Sequence, residues 1–193
     1  MKNILKLLYI FISLIWSISN SIGEECRGVC IPLSSEYEKT LEGLKRSFAD
    51  LEKLDFSFVS IKKSAFNNAN VEELVIVDAE ILRSNFSSFS SFESRIESSR
   101  LTRNTFSFAV IEEAIITQAD FSKSVMNNSV FSESIIKQSS FEDVNLSSAD
   151  LSESKITNST FRGATLSFAD FSKSQIVNNN FVDTTGNNSD FSE

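Results

Sequence analysis

The sequence predicts an all-β, four-sided β-helix. Three observations lead there: an apolar residue at every fifth position, like residues recurring at every twentieth, and few turn-forming residues. Stepping by five, one meets Leu51, Phe56, Ile61, Phe66, Val71, Ile76, Ile81 and Phe86. After Ser91 the same step runs from Ile96 to Phe181 and on to Phe191, with Gly186 the one other break. Two positions before many of these centres stands a small residue, among them Ala49, Ala69, Ala109, Ala119, Ala149 and Ala169, with serine at many of the others. A five-residue step turns about 140° around an α-helix and changes face in a flat strand, so neither element gathers these side chains. A chain that turns a corner at every unit does. Hairpins are excluded as the way of turning, because one proline and five glycines are too few for them.

The step of twenty fixes the number of corners. From Ile76 it gives Ile96, Ile116, Ile136, Ile156 and Ile176; from Phe121 it gives Phe141, Phe161 and Phe181; from Phe66 it gives Phe86 and Phe106. Columns of identical residues are what successive coils produce when their strands pair in register, with four units to a coil. About seven such coils make a rod roughly 34 Å long at the usual strand spacing.

These units resemble the pentapeptide-repeat family, whose repeat reads Ala-(Asp/Asn)-(Leu/Phe)-(Ser/Thr)-X. Ala49-Asp50-Leu51-Glu52, Ala119-Asp120-Phe121-Ser122, Ala149-Asp150-Leu151-Ser152 and Ala169-Asp170-Phe171-Ser172 stand closest to that pattern. The resemblance covers the chain from about Ala49 to its end and implies the family's right-handed quadrilateral β-helix over 49–193.

Before the repeats, residues 1–23 read as a signal peptide. Lys2 and Lys6 give a positive start, Leu7 to Ile18 a short apolar run, and Ser21-Ile22-Gly23 small residues before Glu24. The expectation is therefore a secreted, periplasmic or cell-surface protein. Cys26 and Cys30, the two cysteines, are a candidate disulfide in an oxidising compartment, with free thiols or an intermolecular bridge as the alternatives. From Ser35 to Phe48 the spacing predicts a helix: Ser35 with Glu38 forms a capping box, and Tyr37, Leu41, Leu44 and Phe48 share one face. Such a helix in the segment 24–48 would cap the first coil.

Two places depart from the pattern. Ser91 occupies a central position and Phe89 the small one before it, so Phe89 is expected to fill the volume Ser91 leaves. At Gly186 and the polar run Thr184 to Asp190 nothing apolar closes the last coil, which leaves a strand edge and the expectation of end-to-end self-association.

Composition narrows function. The formal charge is -8 and the pI about 4.7, which argues against nucleic-acid binding through a basic surface. There is no histidine, so the commonest general base, the Ser/His and Cys/His nucleophile pairs and imidazole metal sites are absent together. No catalytic residues, no metal ligands and no cofactor are expected. With the interior given to packing, function falls to the outward positions. Two residues past the centre, one side carries Glu73, Glu93, Glu113, Glu133 and Glu153, and the same offset two sides away carries Lys63, Arg83, Arg103 and Lys123. These are the candidate acidic and basic interaction stripes, on opposite flanks. Carboxylates about 5 Å apart repel by roughly 1 kcal/mol in water, so the acidic stripe invites a partner or counter-ions, although a merely solubilising surface would look the same. Ser132, Ser152, Ser172 and Ser192 form an uncharged column, and Gln118, Gln138, Asn158 and Asn178 another. Asn-X-Ser/Thr motifs stand at Asn85, Asn127, Asn145, Asn158 and Asn187.

Three functional classes follow. The first is an exported, non-enzymatic module for protein–protein interaction or structure, with an unknown protein partner and no membrane span after signal cleavage. The second is implied by the resemblance, since some pentapeptide-repeat proteins mimic duplex DNA and inhibit type II topoisomerases. The signal peptide, the missing apolar C-terminal segment and the basic flank count against it. The third is surface or ice binding through regular hydroxyl ladders, against which stand the scarcity of threonine and the frequent charges.

Overall fold

A corner at every fifth residue and parallel pairing at every twentieth organise the chain. The computed structural model describes residues 28–30 and 39–193. On the first side, β3 (Asp50–Asp55), β5 (Asn70–Val77), β7 (Ser90–Phe92) and β9 (Val110–Glu112) pair in parallel, and single bridges continue the ladder from Val130 to Asp190. β3 and β5 run through the next corner, so their second halves also serve the second side. There β1 (Gly28–Cys30) lies on β3, and below β5 follow β8 (Arg95–Glu97), β10 (Ile115–Thr117), β11 (Ile135–Lys137), β12 (Lys155–Thr157) and β13 (Gln175–Val177). The third side stacks β2 (Lys39–Glu42), β4 (Val59–Lys62) and β6 (Glu80–Leu82), then bridges down to Asn180. The fourth side is held by seven successive bridges from Lys45 to Thr185. Every pair within the coils is offset by twenty residues, and the isoleucine column pairs as the sequence reading requires: Ile76 with Ile96, then Ile116, Ile136, Ile156 and Ile176.

The central residues fill the interior. Phe121, Phe141, Phe161 and Phe181 form one stack with ring centroids 5.2, 5.0 and 4.9 Å apart, and Phe66, Phe86 and Phe106 form another at 5.0 and 4.9 Å. The departure at Ser91 closes as expected. Phe89 is fully buried, edge-on to Phe86 at 5.6 Å, and Ser91 is buried beside it, accepting a hydrogen bond from the Ser94 hydroxyl at 2.9 Å. At Gly186 the fourth side can hold no side chain in line. A Cβ there would lie 2.8 Å from the Leu166 carbonyl carbon and 2.9 Å from the Ser167 nitrogen, so the apolar column ends at Leu166.

Backbone hydrogen bonding explains the residue preferences of the unit. Around a centre such as Phe141, the Ser140 and Phe141 N–H groups and the Asp143 N–H bond to carbonyls of the neighbouring coils at 2.8, 2.8 and 3.0 Å. The N–H one past the centre is taken locally by an Asp or Asn two residues earlier: Ser122 by Asp120, Ser147 by Asn145, Ser152 by Asp150, Ser172 by Asp170. On the first side the buried N–H two before the centre bonds the carbonyl three residues earlier, as Ala109 does with Phe106 at 3.0 Å. On the other sides a hydroxyl of the next coil takes many of these groups. The Ser134 hydroxyl accepts from Ala114, Ser154 from Ser134, Ser139 from Ala119 and Ser159 from Ser139. No described buried side-chain polar atom lacks a partner. Replacing Ser134 by Ala should strip the Ala114 N–H of its acceptor inside a dry core and destabilise the protein by about 1–3 kcal/mol, read as a lower urea midpoint at unchanged slope. Half-buried, outward-facing Ser132→Ala, as control, should move it little.

The expected N-terminal helix needs correction where it can be compared. Ser35, Tyr37 and Glu38 lie outside the described residues, but Lys39–Glu42 is β2, and Leu41 pairs in register with Ile61. Leu41 and Leu44 pack against the core while Phe48 is exposed. A spacing of three fits one face of a helix, and it also fits the step from one centre to the next small position of a five-residue unit. The free edge of β4 supplies backbone partners for the second arrangement. The coil therefore begins upstream of Ala49. The signal peptide (1–23) and Cys26 lie outside the described residues; Cys30 ends β1, opposite Asp55. Among the described residues no helix is long and apolar enough to cross a membrane.

Candidate interaction surfaces

Each corner is made by the residue two past the centre, which adopts the left-handed conformation with φ of 47–62° at every non-glycine position where the chain bends sharply. Such residues point outward, and because coils stack in register, each corner carries one column of side chains. The four columns differ in chemistry.

The first corner carries the acidic stripe, with Glu73, Glu93, Glu113, Glu133 and Glu153 in line and exposed. Its two ends are closed by lysines that the sequence reading did not include. Lys53 donates to Glu73 at 3.0 Å and Lys173 to Glu153 at 2.9 Å, a hydrogen bond that holds the Lys173 ammonium above its ordinary pKa. Glu93, Glu113 and Glu133 form no ion pair among the described residues, although their column neighbours have the same sign. Reversing the middle charge with Glu113→Lys should raise stability by up to about 1 kcal/mol at low salt, and the gain should fade at high salt. A salt-independent gain would mean that packing rather than charge is responsible.

The basic stripe occupies the diagonally opposite corner. Lys63, Arg83, Arg103 and Lys123 are exposed in line, and with Lys62 and Arg100 they border a shallow groove on the third side. Lys63 donates to Glu42 at 2.8 Å, and that bond holds the Glu42 carboxyl below its ordinary pKa. Glu80 lies between Lys62 at 3.6 Å and Arg100 at 3.5 Å. Arg83, Arg103 and Lys123 form no ion pair among the described residues. The stripes thus lie on opposite flanks as the register requires, five acidic positions on one edge and four basic ones on the other.

The remaining corners are uncharged over most of their length. Gln118, Gln138, Asn158 and Asn178 line a second shallow groove with Ser139 and Ser159, and Asn178 donates its amide to Asn158 at 3.4 Å. The serine column serves the turns, as Ser152 does by donating to Asp150. The fourth corner bears exposed Phe48, Phe108 and Phe168, a column that the sequence reading passed over. Four of the five Asn-X-Ser/Thr motifs, at Asn85, Asn127, Asn145 and Asn187, fall on the fourth side. At Asn85 and Asn145 the amide oxygen accepts from both the N–H and the hydroxyl of the serine two residues on.

Comparison with known proteins bears on the coil and not on the edges. A search of curated protein sequences finds no match. Among solved structures, trypsin-treated QnrB1, a plasmid-mediated fluoroquinolone resistance protein, is 15% identical, with 77% of this chain and 92% of that one aligned at a TM-score of 0.52. HetL, a pentapeptide repeat protein involved in heterocyst differentiation regulation in the cyanobacterium Nostoc, is 12% identical over 77% of this chain and 87% of its own, at 0.27. A pentapeptide repeat protein of the Arabidopsis thaliana thylakoid lumen is 17% identical over 65% and 66%, at 0.28. Residues 114–191 match the family described as pentapeptide repeat region. The same twenty-residue register extends upstream to β2, where pairing and burial follow the rules of the matched stretch, so the likeness to the pentapeptide-repeat coil runs beyond residues 114–191.

Proposed function

We propose that this protein is an exported, non-enzymatic interaction module, a rod that engages a protein partner through its charged edges. The observation that carries the reading is the run Glu93, Glu113 and Glu133, stacked one coil apart with no counter-charge from the described residues. Self-repulsion of this kind is relieved by a basic partner, and the rigid coil fixes the spacing of its charges at about 4.8 Å, so little order is lost on binding. The apolar start of the chain supports export to the envelope or beyond. The test has two parts. Fractionation of the native host with intact mass should find a species beginning near Glu24 outside the cytoplasm. Partner capture there should be lost with Glu93→Gln, Glu113→Gln and Glu133→Gln together. A full-length cytoplasmic species would refute export, and undiminished capture would refute the acidic edge.

A second reading, duplex-DNA mimicry directed at a type II topoisomerase, draws on the acidic edge of a rod-shaped molecule and on the fold shared with QnrB1, the fluoroquinolone resistance protein. The basic edge on the opposite corner argues against it. Supercoiling by purified gyrase in the presence of the protein decides the matter, and inhibition abolished by the triple Gln variant would favour this reading over the first.

A further inference from the structure

The corner between the fourth and first sides repeats with a period of sixty residues, three coils. Its outward pairs read Ser47-Phe48, Asn67-Asn68, Ser87-Ser88, then Ser107-Phe108, Asn127-Asn128, Ser147-Ser148, then Ser167-Phe168 and Asn187-Asn188. Phe48, Phe108 and Phe168 are 78%, 59% and 61% exposed and have φ of 60°, 59° and 59°. A phenylalanine there is unfavourable twice, once for its left-handed backbone and once for its ring in water. The asparagines and serines of the intervening coils make the same turn without the exposed ring. Folding therefore does not call for these rings, which stand on one line about 14 Å apart. Their surroundings are neutral. No outward position on the fourth side from Ala65 to Asn188 is charged, in a chain of net charge -8, and Val110, Val125 and Val130 surround Phe108 with partly exposed apolar surface.

We infer that this corner is the contact surface of an antiparallel two-fold homodimer. A two-fold contact sets a patch against itself, and equal spacing makes this column self-complementary. Rotation about an axis through Phe108 brings Phe108 onto its own counterpart and Phe48 level with Phe168 of the second copy. Charge selects the same direction. Lys45 and Arg46 flank Phe48, while Asp170 and Asp190 flank Phe168, and Asp50, the acid at the first end, accepts a hydrogen bond from Asn70 at 3.0 Å. Antiparallel docking sets the cations of one end against the acids of the other, whereas parallel docking opposes like charges. The neutral side also allows two acidic chains to approach without mutual repulsion. A strip one corner wide along a rod of roughly 34 Å lies at the low end of specific interface sizes, so the dimer is reversible and forms at micromolar concentrations.

Sedimentation equilibrium tests this on the whole protein. Wild type should reach the dimer mass in the micromolar range. Phe108→Asn, which keeps a residue suited to the left-handed turn, should weaken the dimer at least about tenfold while the thermal midpoint of the monomer holds or rises. Phe48→Asn, Phe108→Asn and Phe168→Asn together should abolish it. Oxidation of Phe108→Cys should give a 108-to-108 link by mass spectrometry, and Phe48→Cys and Phe168→Cys should link only when mixed. A monomer throughout, a dimer indifferent to Phe108→Asn, self-linkage of Phe48→Cys, an open series of masses from end-to-end growth, or native protein carrying glycans at Asn127 or Asn145 would each overturn the inference.

Discussion

Replacing Phe141 by Ala should cost about 3–5 kcal/mol, as large as any single truncation in this chain. Phe141 is fully buried between Phe121 at 5.2 Å and Phe161 at 5.0 Å, with interplanar angles of 15° and 6°. Its removal takes away two stacking partners at once and leaves a void midway along the rod, where rigid coils above and below resist collapse. Because each coil touches only its neighbours, the damage should remain local. Hydrogen exchange should quicken in the coils between Phe121 and Phe161 before it does near Phe66. Phe191 offers the comparison. It is half exposed and stacks on Phe171 alone at 4.8 Å among the column neighbours, so Phe191→Ala should cost no more than about 1 kcal/mol. Equal losses at the two positions would refute the role assigned to the stack.

The second large effect concerns the exchange of volume between Phe89 and Ser91. Phe89→Ala should cost about 3–5 kcal/mol by emptying a closed site, and Ser91→Ile about 1–3 kcal/mol by crowding Phe89. Combined, they move the large side chain back to the central position and the small one to its usual place. The double variant should then be more stable than Phe89→Ala alone, a coupling that additive sites cannot produce. Additive losses in urea melts would mean that the two residues pack independently, and that the third coil is adapted in some other way.

Much of this fold can be read in the sequence because one rule, inward at every fifth position, is enforced by burial at almost every step. The columns of Ile116 and Phe141 and the two charged edges follow from arithmetic alone. Leu41 and Leu44 were misread because a spacing of three belongs both to a helix and to this coil, and pairing with β4 decides between them. The ends of the acidic edge were also hidden. Lys53 and Lys173 occupy the same column as the glutamates, but that they bond Glu73 and Glu153 depends on side-chain rotamers that residue spacing does not fix. The phenylalanine corner was present as the recurring Ser-Phe-Ala at 47–49, 107–109 and 167–169. Its meaning emerges only when exposure shows that these three rings lie outside, the most exposed phenylalanines among the described residues and all on one corner.

The diagonal placement of the two charged edges gives the rod a polarity across its width. A thin cylinder with uniform charge can approach a surface with any side foremost. One with acids along one edge and cations along the opposite edge carries a transverse dipole, and near a charged partner it has a preferred roll about its own axis. Salt would weaken that preference over distances beyond the Debye length. The neutral aromatic corner lies a quarter turn from both charged edges. A rod rolled so that its acids meet a basic surface therefore presents its phenylalanines sideways, toward whatever lies next to it in the same plane.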